Sequence, residues 1–330
     1  MVAWSGGGPA TGEDPTLKYA LIAGLFTMAL GAPVLANDYT ILAPAAPGGG
    51  WDQTARTMQE VLRAEGISDS VQVQNVPGAG GTVGLAQFAS SSAGKGDQLI
   101  VGGYVMVGAI LTNQSPVSLA DVTPIARLTG EYEAIVVPTA SPIQTIEELV
   151  EMLKAEPGAV SWAGGSAGGA DHIAVGLLAN AAGVDPTAIN YIAYSGGGEA
   201  LAAILGNQVT AGISSLGEFK PQADAGTLRI LAVTSEERVE GVDAPTLTEA
   251  GLDVVLQNWR MVAAAPGISA EDEAVIAADI ETLATSAAWQ EALVTKGWAD
   301  TYLAGEEFRA QLAEDTATTE AILKDIGLVE

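Results

Sequence analysis

The chain has no cysteine and a single histidine, His172, among 330 residues. Without thiols there is no disulfide, no thiolate metal site and no cysteine nucleophile, and one imidazole leaves little for a zinc centre or a catalytic base. Cations are scarce as well: 13 Lys and Arg stand against 40 Asp and Glu, a formal net charge of −27. Such a chain repels nucleic acid and anionic lipid, so any anionic ligand has to be held by local dipoles and a few placed cations. The acids form no D-x-[DN]-x-[DN]-G loop with its closing Glu, and neither metal nor cofactor is expected. What the chain does have is a 48% hydrophobic content, ample for one large domain or two lobes.

An uncharged, mostly apolar run, Tyr19–Ala36, follows Lys18 and ends Val34-Leu35-Ala36. This is the pattern of a secretory signal peptide, so residues 1–36 are expected to be removed and the mature chain to begin near Asn37. About 18 apolar residues could also span a bilayer as an uncleaved anchor, but Gly24, Gly31, Pro33 and the Ala-rich end favour cleavage.

From Tyr39 onward, β-rich runs alternate with amphipathic helical stretches, which predicts an α/β fold with largely parallel sheets. Strands are expected at Tyr39–Ala43, Val71–Gln74, Leu99–Gly102, Ala134–Pro138, Val160–Ala163, Asn190–Ala193, Ala211–Ser214, Arg229–Thr234 and Met261–Ala265, and only helices after Ala270. A chain that builds one α/β unit, then a second, and closes with helices can return to its first lobe. That gives 37–136 plus 259–330 as lobe 1 and 137–258 as lobe 2, with a hinge at crossings near Ile135–Pro138 and Arg260–Ala263.

Three glycine clusters join predicted strands to predicted helices: Pro47-Gly48-Gly49-Gly50-Trp51-Asp52, Pro77-Gly78-Ala79-Gly80-Gly81-Thr82 and Gly164-Gly165-Ser166-Ala167-Gly168-Gly169 with Asp171-His172. Glycine lets a ligand approach the main chain, and the positive end of the following helix favours an anion, so a carboxylate or phosphate is expected between the loops. A Cβ at Gly81 is expected to fall where a carboxylate oxygen would lie. Asp52 and Asp171 can cap their helices or touch ligand, and Trp51 can wall the pocket or pack in the core. His172 can donate to a ligand or sit satisfied in structure. Tyr194, before the glycine turn Ser195-Gly196-Gly197-Gly198-Glu199, offers a phenol at the pocket rim. Arg260 can pair with an acid across the hinge or reach an anion.

Gly164-Gly165-Ser166-Ala167-Gly168 also matches the G-x-S-x-G nucleophile elbow, and a secreted α/β hydrolase using Ser166 is the alternative reading. That class needs a histidine far downstream, whereas His172 follows on the same helix. Gly78–Gly84 lacks the spacing of a dinucleotide loop, and Gly94-Lys95-Gly96 that of a phosphate-binding P-loop.

Taken together, these glycine clusters with Gln53-Thr54-Ala55-Arg56, Asn75-Val76, Tyr194-Ser195-Gly196-Gly197-Gly198 and Leu228-Arg229-Ile230-Leu231-Ala232-Val233 resemble the periplasmic solute receptors of the tripartite tricarboxylate transporters, the TctC or Bug family. The resemblance runs in order from about Tyr39 to the C-terminus. It implies a two-lobed type II periplasmic-binding-protein fold with a hinge and C-terminal helices. It also implies a monomeric, non-catalytic periplasmic receptor that clamps a small organic carboxylate and delivers it to integral-membrane permease subunits. By motif, Gly49, Gly50, Trp51, Asp52, Gly80, Gly81 and Thr82 would grip one carboxylate, and Ser166, Gly168, Gly169, Asp171, His172 and Tyr194 would close over the rest. The Gly-Gly-Gly-Trp-Asp form favours di- or tricarboxylates, citrate-like ones first. A receptor that feeds a sensor kinase instead of a permease fits the same residues.

Overall fold

Apolar residues in Gly50–Ala64 recur at Trp51, Ala55, Met58 and Leu62, one buried stripe of an amphipathic helix, and this helix packs on the strand Tyr39–Ala43 that precedes it. The same strand, glycine loop and helix sequence recurs through the computed structural model, which describes residues 38–194 and 197–330, all within one unit. The expected signal peptide, residues 1–36, and the Ser195-Gly196 part of the fourth glycine turn lie outside the described residues. In the first half the elements are β1 (Tyr39–Ala43), α1 (Gly50–Ala64), β2 (Val71–Asn75), α2 (Thr82–Ser91), β3 (Gln98–Gly103) and α3 (Tyr104–Thr112). The long β4 (Thr123–Pro138) leads into α4 (Ile146–Ala155), β5 (Ser161–Gly164), α5 (Ala170–Ala181), β6 (Asn190–Ala193), α6 (Gly197–Leu205), β7 (Ala211–Ser215), α7 (Leu216–Asp224) and β8 (Leu228–Val233). The return runs through β9 (Gln257–Ala264), α8 (Ala270–Thr285), α9 (Ala287–Lys296), β10 (Ala299–Ala304) and α10 (Gly305–Asp325).

β4 belongs to both halves. Residues 123–132 pair with β9, and residues 133–138 pair with β7 and β8, so the strand changes sheet between Tyr132 and Glu133. On one side β2, β1 and β3 run parallel, and on the other β6, β5 and β7 do. Where the chain crosses between them every pairing is antiparallel, β9 with β3 and β4, and β4 with β7, β8 and β10. The expectation of largely parallel sheets is therefore corrected at the centre, because β4 leads outward and β9 leads back.

Two further elements differ from expectation. β10 lies after Ala270, where only helices were expected, and a register shift between Asp300 and Leu303 interrupts its pairing with β4. α3 has no counterpart in the sequence reading, since Tyr-Val-Met-Val-Gly-Ala-Ile-Leu-Thr is apolar on every side and carries no helical polarity. One large apolar core runs beneath both halves, and a smaller one, including Val136, Ile204 and Phe219, lies under α6 and α7. Fully buried Trp162, Trp289, Phe88 and Phe308 anchor this packing, each contributing about 1.5–3 kcal/mol by leaving water.

Candidate ligand cleft

A cleft of about 1030 Å³ opens at the C-terminal ends of the parallel strands, lined by glycine loops from both halves and floored by β9 and α7. Its first wall is the β1–α1 loop. Gly49 starts α1 without a side-chain cap, leaving amides of the first turn without an internal partner. Gly50 is glycine for a spatial reason: a Cβ there would lie 2.5 Å from the Arg260 guanidinium. Asp52 faces away from the cleft, accepting the Gly48 N–H at 2.8 Å, Arg56 Nε at 3.0 Å and Asn75 Nδ2 at 2.8 Å. Burial pushes its carboxyl up, but these hydrogen bonds outweigh burial and hold it below the usual range. Asp52 thus braces the loop that exposes the amides.

The second wall, between β2 and α2, passes through four consecutive positive-φ residues, Gly78, Ala79, Gly80 and Gly81. A Cβ on Gly81 would point at Trp51 Cζ3, 2.6 Å away, and Met106 Cε, 2.9 Å away. This corrects the expectation that Gly81 leaves room for ligand oxygen, since the missing side chain makes room for core packing. Thr82 Oγ1 donates to the Ala79 carbonyl at 2.9 Å, inside the same turn.

On the opposite wall, Asp171 repeats the part of Asp52. Its Oδ2 accepts the Gly165 N–H at 2.7 Å, while α5 begins at Gly169 without a cap. Burial, the dominant cause, with added repulsion from Glu218 and Glu131, raises Asp171 to about 7 against hydrogen bonding from Gly165. His172 Nδ1 accepts the Gly168 N–H at 3.3 Å, and its ring stacks on Tyr191 with centroids 4.0 Å apart. Burial lowers its pKa to about 4. Held this way, His172 is a structural imidazole packed beneath its loop, and Ser166 gains no base from it. Gly168, at φ 74°, lies against Thr112 of α3.

Of the residues expected at the site, Gly49, Gly50, Trp51, Gly80, Gly81, Ser166, Gly169, Asp171 and Tyr194 line the cleft. Asp52, Thr82, Gly168 and His172 shape the loops from outside that lining.

Of the floor, the sequence pointed only to Arg260, expected to pair with an acid across the hinge or to reach an anion; it does pair with an acid, and the acids themselves were missed. Asn258 and Arg260 alternate along β9, Ser214 and Ser215 end β7 and Glu218 lies in the first turn of α7, all in the lining, while Glu131 and Glu133 alternate along β4 outside it. Arg260 is buried, donates through Nη2 to Glu131 Oε2, and lies 5.2 Å over the Trp298 ring. Its Nη1 has no partner. Glu133 is fully buried, and neither of its oxygens has a hydrogen-bond partner. Burial and the neighbouring Asp171, Glu131 and Glu218 push its carboxyl well above the usual range, with the nearby Asn258 amide, outside hydrogen-bonding geometry, opposing them. Glu218 is raised chiefly by burial, against a 2.8 Å hydrogen bond from Ser214 Oγ. The polar period of two through Thr129, Glu131 and Glu133 was the available signal for this face.

The match to known proteins is consistent along the chain. The model of the tripartite tricarboxylate transporter family receptor, TctC, matches residues 54–328. Protein BugT of Bordetella pertussis (strain Tohama I) is 28% identical over 319 residues, covering 93% of this chain and 96% of that protein. In structure the chain is similar to MatC (Rpa3494) from Rhodopseudomonas palustris with bound malate, at 23% identity and TM-score 0.75, over 88% of this chain and 100% of that one. It is also similar to R. palustris Rpa4515 with adipate, at 22% identity and TM-score 0.80, over 88% of this chain and 97% of that one. These likenesses give the fold as the two-lobed type II periplasmic-binding-protein form, and among the described residues no helix is long and apolar enough to cross a membrane. The chain belongs to the TctC family of tripartite tricarboxylate transporter receptors, periplasmic solute-binding proteins and not enzymes.

Proposed function

We propose that this receptor captures a small organic carboxylate in the cleft, closes its lobes over it and delivers it to the membrane subunits of a tripartite permease. The observation that carries this reading is the pair of facing glycine loops whose helices start without side-chain caps, Gly49 for α1 and Gly169 for α5. Donors left open at a helix N-terminus suit a carboxylate, and the similar proteins with malate and adipate support that ligand class. Gly49, Gly50, Gly80 and Gly81 with Trp51 would receive the carboxylate, and Ser166, Gly169, Asp171 and Tyr194 would close over the remainder. Lobe 1 comprises 37–136 plus 259–330 and lobe 2 comprises 137–258, with β4 and β9 as the hinge. Closure works as a population shift, because ligand touching both lobes stabilises only the closed form. Residues 1–36 serve as the signal peptide of a monomeric periplasmic protein. The motif form favours citrate-like di- and tricarboxylates, whereas the acidic floor favours fewer negative charges on the ligand.

Thermal shift with malate, succinate, adipate, tartrate, citrate, isocitrate and aromatic acids tests this reading. A ligand at about 100 times its Kd adds roughly 2.7 kcal/mol to the folded state, which for a chain of this length is a rise of about 5 °C. No shift from any carboxylate would overturn the reading. Intact mass of the secreted protein checks cleavage, with Asn37 expected near the N-terminus.

A further inference from the structure

α3, apolar on every side, backs glycine loops from both halves of the molecule. Ala109 fills the space where a Cβ on Gly80 would stand, and the residue before it, Gly108, meets Gly168 of the β5–α5 loop. A Cβ on Gly108 would overlap the Gly168 carbonyl oxygen and lie 3.1 Å from its carbon, so helix and loop touch backbone to backbone. The fit is reciprocal, since a Cβ on Gly168 would meet Thr112 Oγ1 at 2.6 Å. Thr112 Oγ1 donates to the Gly108 carbonyl at 3.0 Å, and its methyl lies against Gly168. Helix propensity does not explain this arrangement, because alanine would serve the middle of α3 better than glycine. Lack of room does. Gly108, Thr112 and Gly168 all stand outside the cleft lining, although Val105, Asn113 and Gly169 beside them belong to it.

We propose that Gly108, Thr112 and Gly168 form a closure latch behind the ligand, a contact that the lobes make on closing and lose on opening. This rests on the closing-receptor reading and adds to it a determinant of affinity that touches no ligand atom. Gly108 and Thr112 belong to lobe 1 and Gly168 to lobe 2, so the contact spans the division that β4 and β9 hinge. A carbonyl oxygen against a glycine Cα makes a weak C–H···O contact, and the threonine methyl adds dispersion. Such a contact favours the closed form only modestly, so a ligand spanning the lobes decides the equilibrium and opening stays easy when it leaves. A side chain at Gly108 would hold the lobes apart while leaving every lining residue in place.

Gly108→Ala separates a latch from fixed packing, because the two predict opposite effects on the ligand-free protein. With a latch, the lobes part to make room and the better helix former leaves the melting temperature unchanged or up to about 3 °C higher. Calorimetry of the mature protein with malate, succinate, adipate and citrate should then show the acids that bind wild type held about tenfold or more weaker, the scale of an overpacked contact. Thr112→Ser keeps the hydroxyl and removes only the methyl, so it should weaken the same acids about two- to fourfold with melting unchanged. A Gly108→Ala protein that melts several degrees below wild type, or does not fold, would show that the contact is permanent and overturn the proposal. So would a folded variant that binds every acid as tightly as wild type. If wild type bound none of the four acids, the carboxylate reading would fail for them, and the melting comparison would still decide the latch.

Discussion

The two sides of the cleft are built on opposite principles. The glycine loops supply main-chain donors from helices that begin without side-chain caps, at Gly49 and Gly169, whereas α4, α8 and α9, outside the lining, are capped by Thr145, Ser269 and Ser286. The floor instead concentrates charged side chains, Arg260 with Glu131, Glu133, Asp171 and Glu218, in a buried setting. The loops therefore offer ligand neutral dipoles that need no counter-ion. The floor offers charges that are incomplete without one. A binding site can leave backbone donors open to solvent at small cost, but buried charges set the ligand's own charge.

The largest way to break this contrast is Arg260→Met. It leaves Glu131 buried without its cation, and the expected loss is about 3–5 kcal/mol in urea unfolding. Adding Glu131→Leu should restore most of it, while an unchanged midpoint in the single variant would show that the pair does not hold the floor.

Asp171→Asn is expected to change stability by an amount on the order of a few kcal/mol, in a pH-dependent manner. Asp171 stands at about 7 in the fold against an ordinary 3.8, so folding binds a proton that the unfolded chain has lost, and the residue lowers stability progressively as pH rises from about 4 to about 7. His172 works the other way: at about 4 against 6.5, its contribution is present above pH 6.5 and fades as pH falls toward 4. The variant loses the Asp171 slope, keeps those of His172 and of the raised Glu133 and Glu218, and should gain on wild type toward pH 7. Parallel stability profiles between pH 4 and 7 would contradict the raised carboxyl.

The loops break differently. Gly81→Val meets Trp51 and Met106 at a φ of 92°, and the expected cost is about 2–4 kcal/mol in melting before any ligand is added. Gly48→Ala has a similar φ, 85°, but open space around it, so only the backbone term of about 1 kcal/mol is expected. Equal losses in the two variants would mean that φ alone, and not the packing of Trp51, explains Gly81.

How much of this could be read beforehand follows the same division. The loops were legible because Gly48–Gly50, Gly78–Gly81 and Gly164–Gly169 are contiguous and each sits between a strand and a helix. Which way each side chain faced was not legible. Asp52 and Asp171 share a motif position, yet only Asp171 reaches the lining, because Arg56 and Asn75 draw Asp52 aside. Arg260 was visible as a cation able to pair across the hinge, but which acid it meets was hidden for another reason. Glu131 and Arg260 are 129 residues apart in sequence and meet only because β4 and β9 cross in antiparallel register. Pro124, Arg127 and Gly130, followed by Glu131 and Glu133, also masked the earlier part of β4, whose apolar end alone, Ala134–Pro138, read as a strand.

The most direct test of the account is a crystal structure of the protein with its tightest-binding carboxylate. The carboxylate should accept hydrogen bonds from the main-chain amides of the β1–α1 or β2–α2 loop. A carboxylate bound outside the cleft, or seated against the acids of the floor with the glycine loops empty, would contradict it.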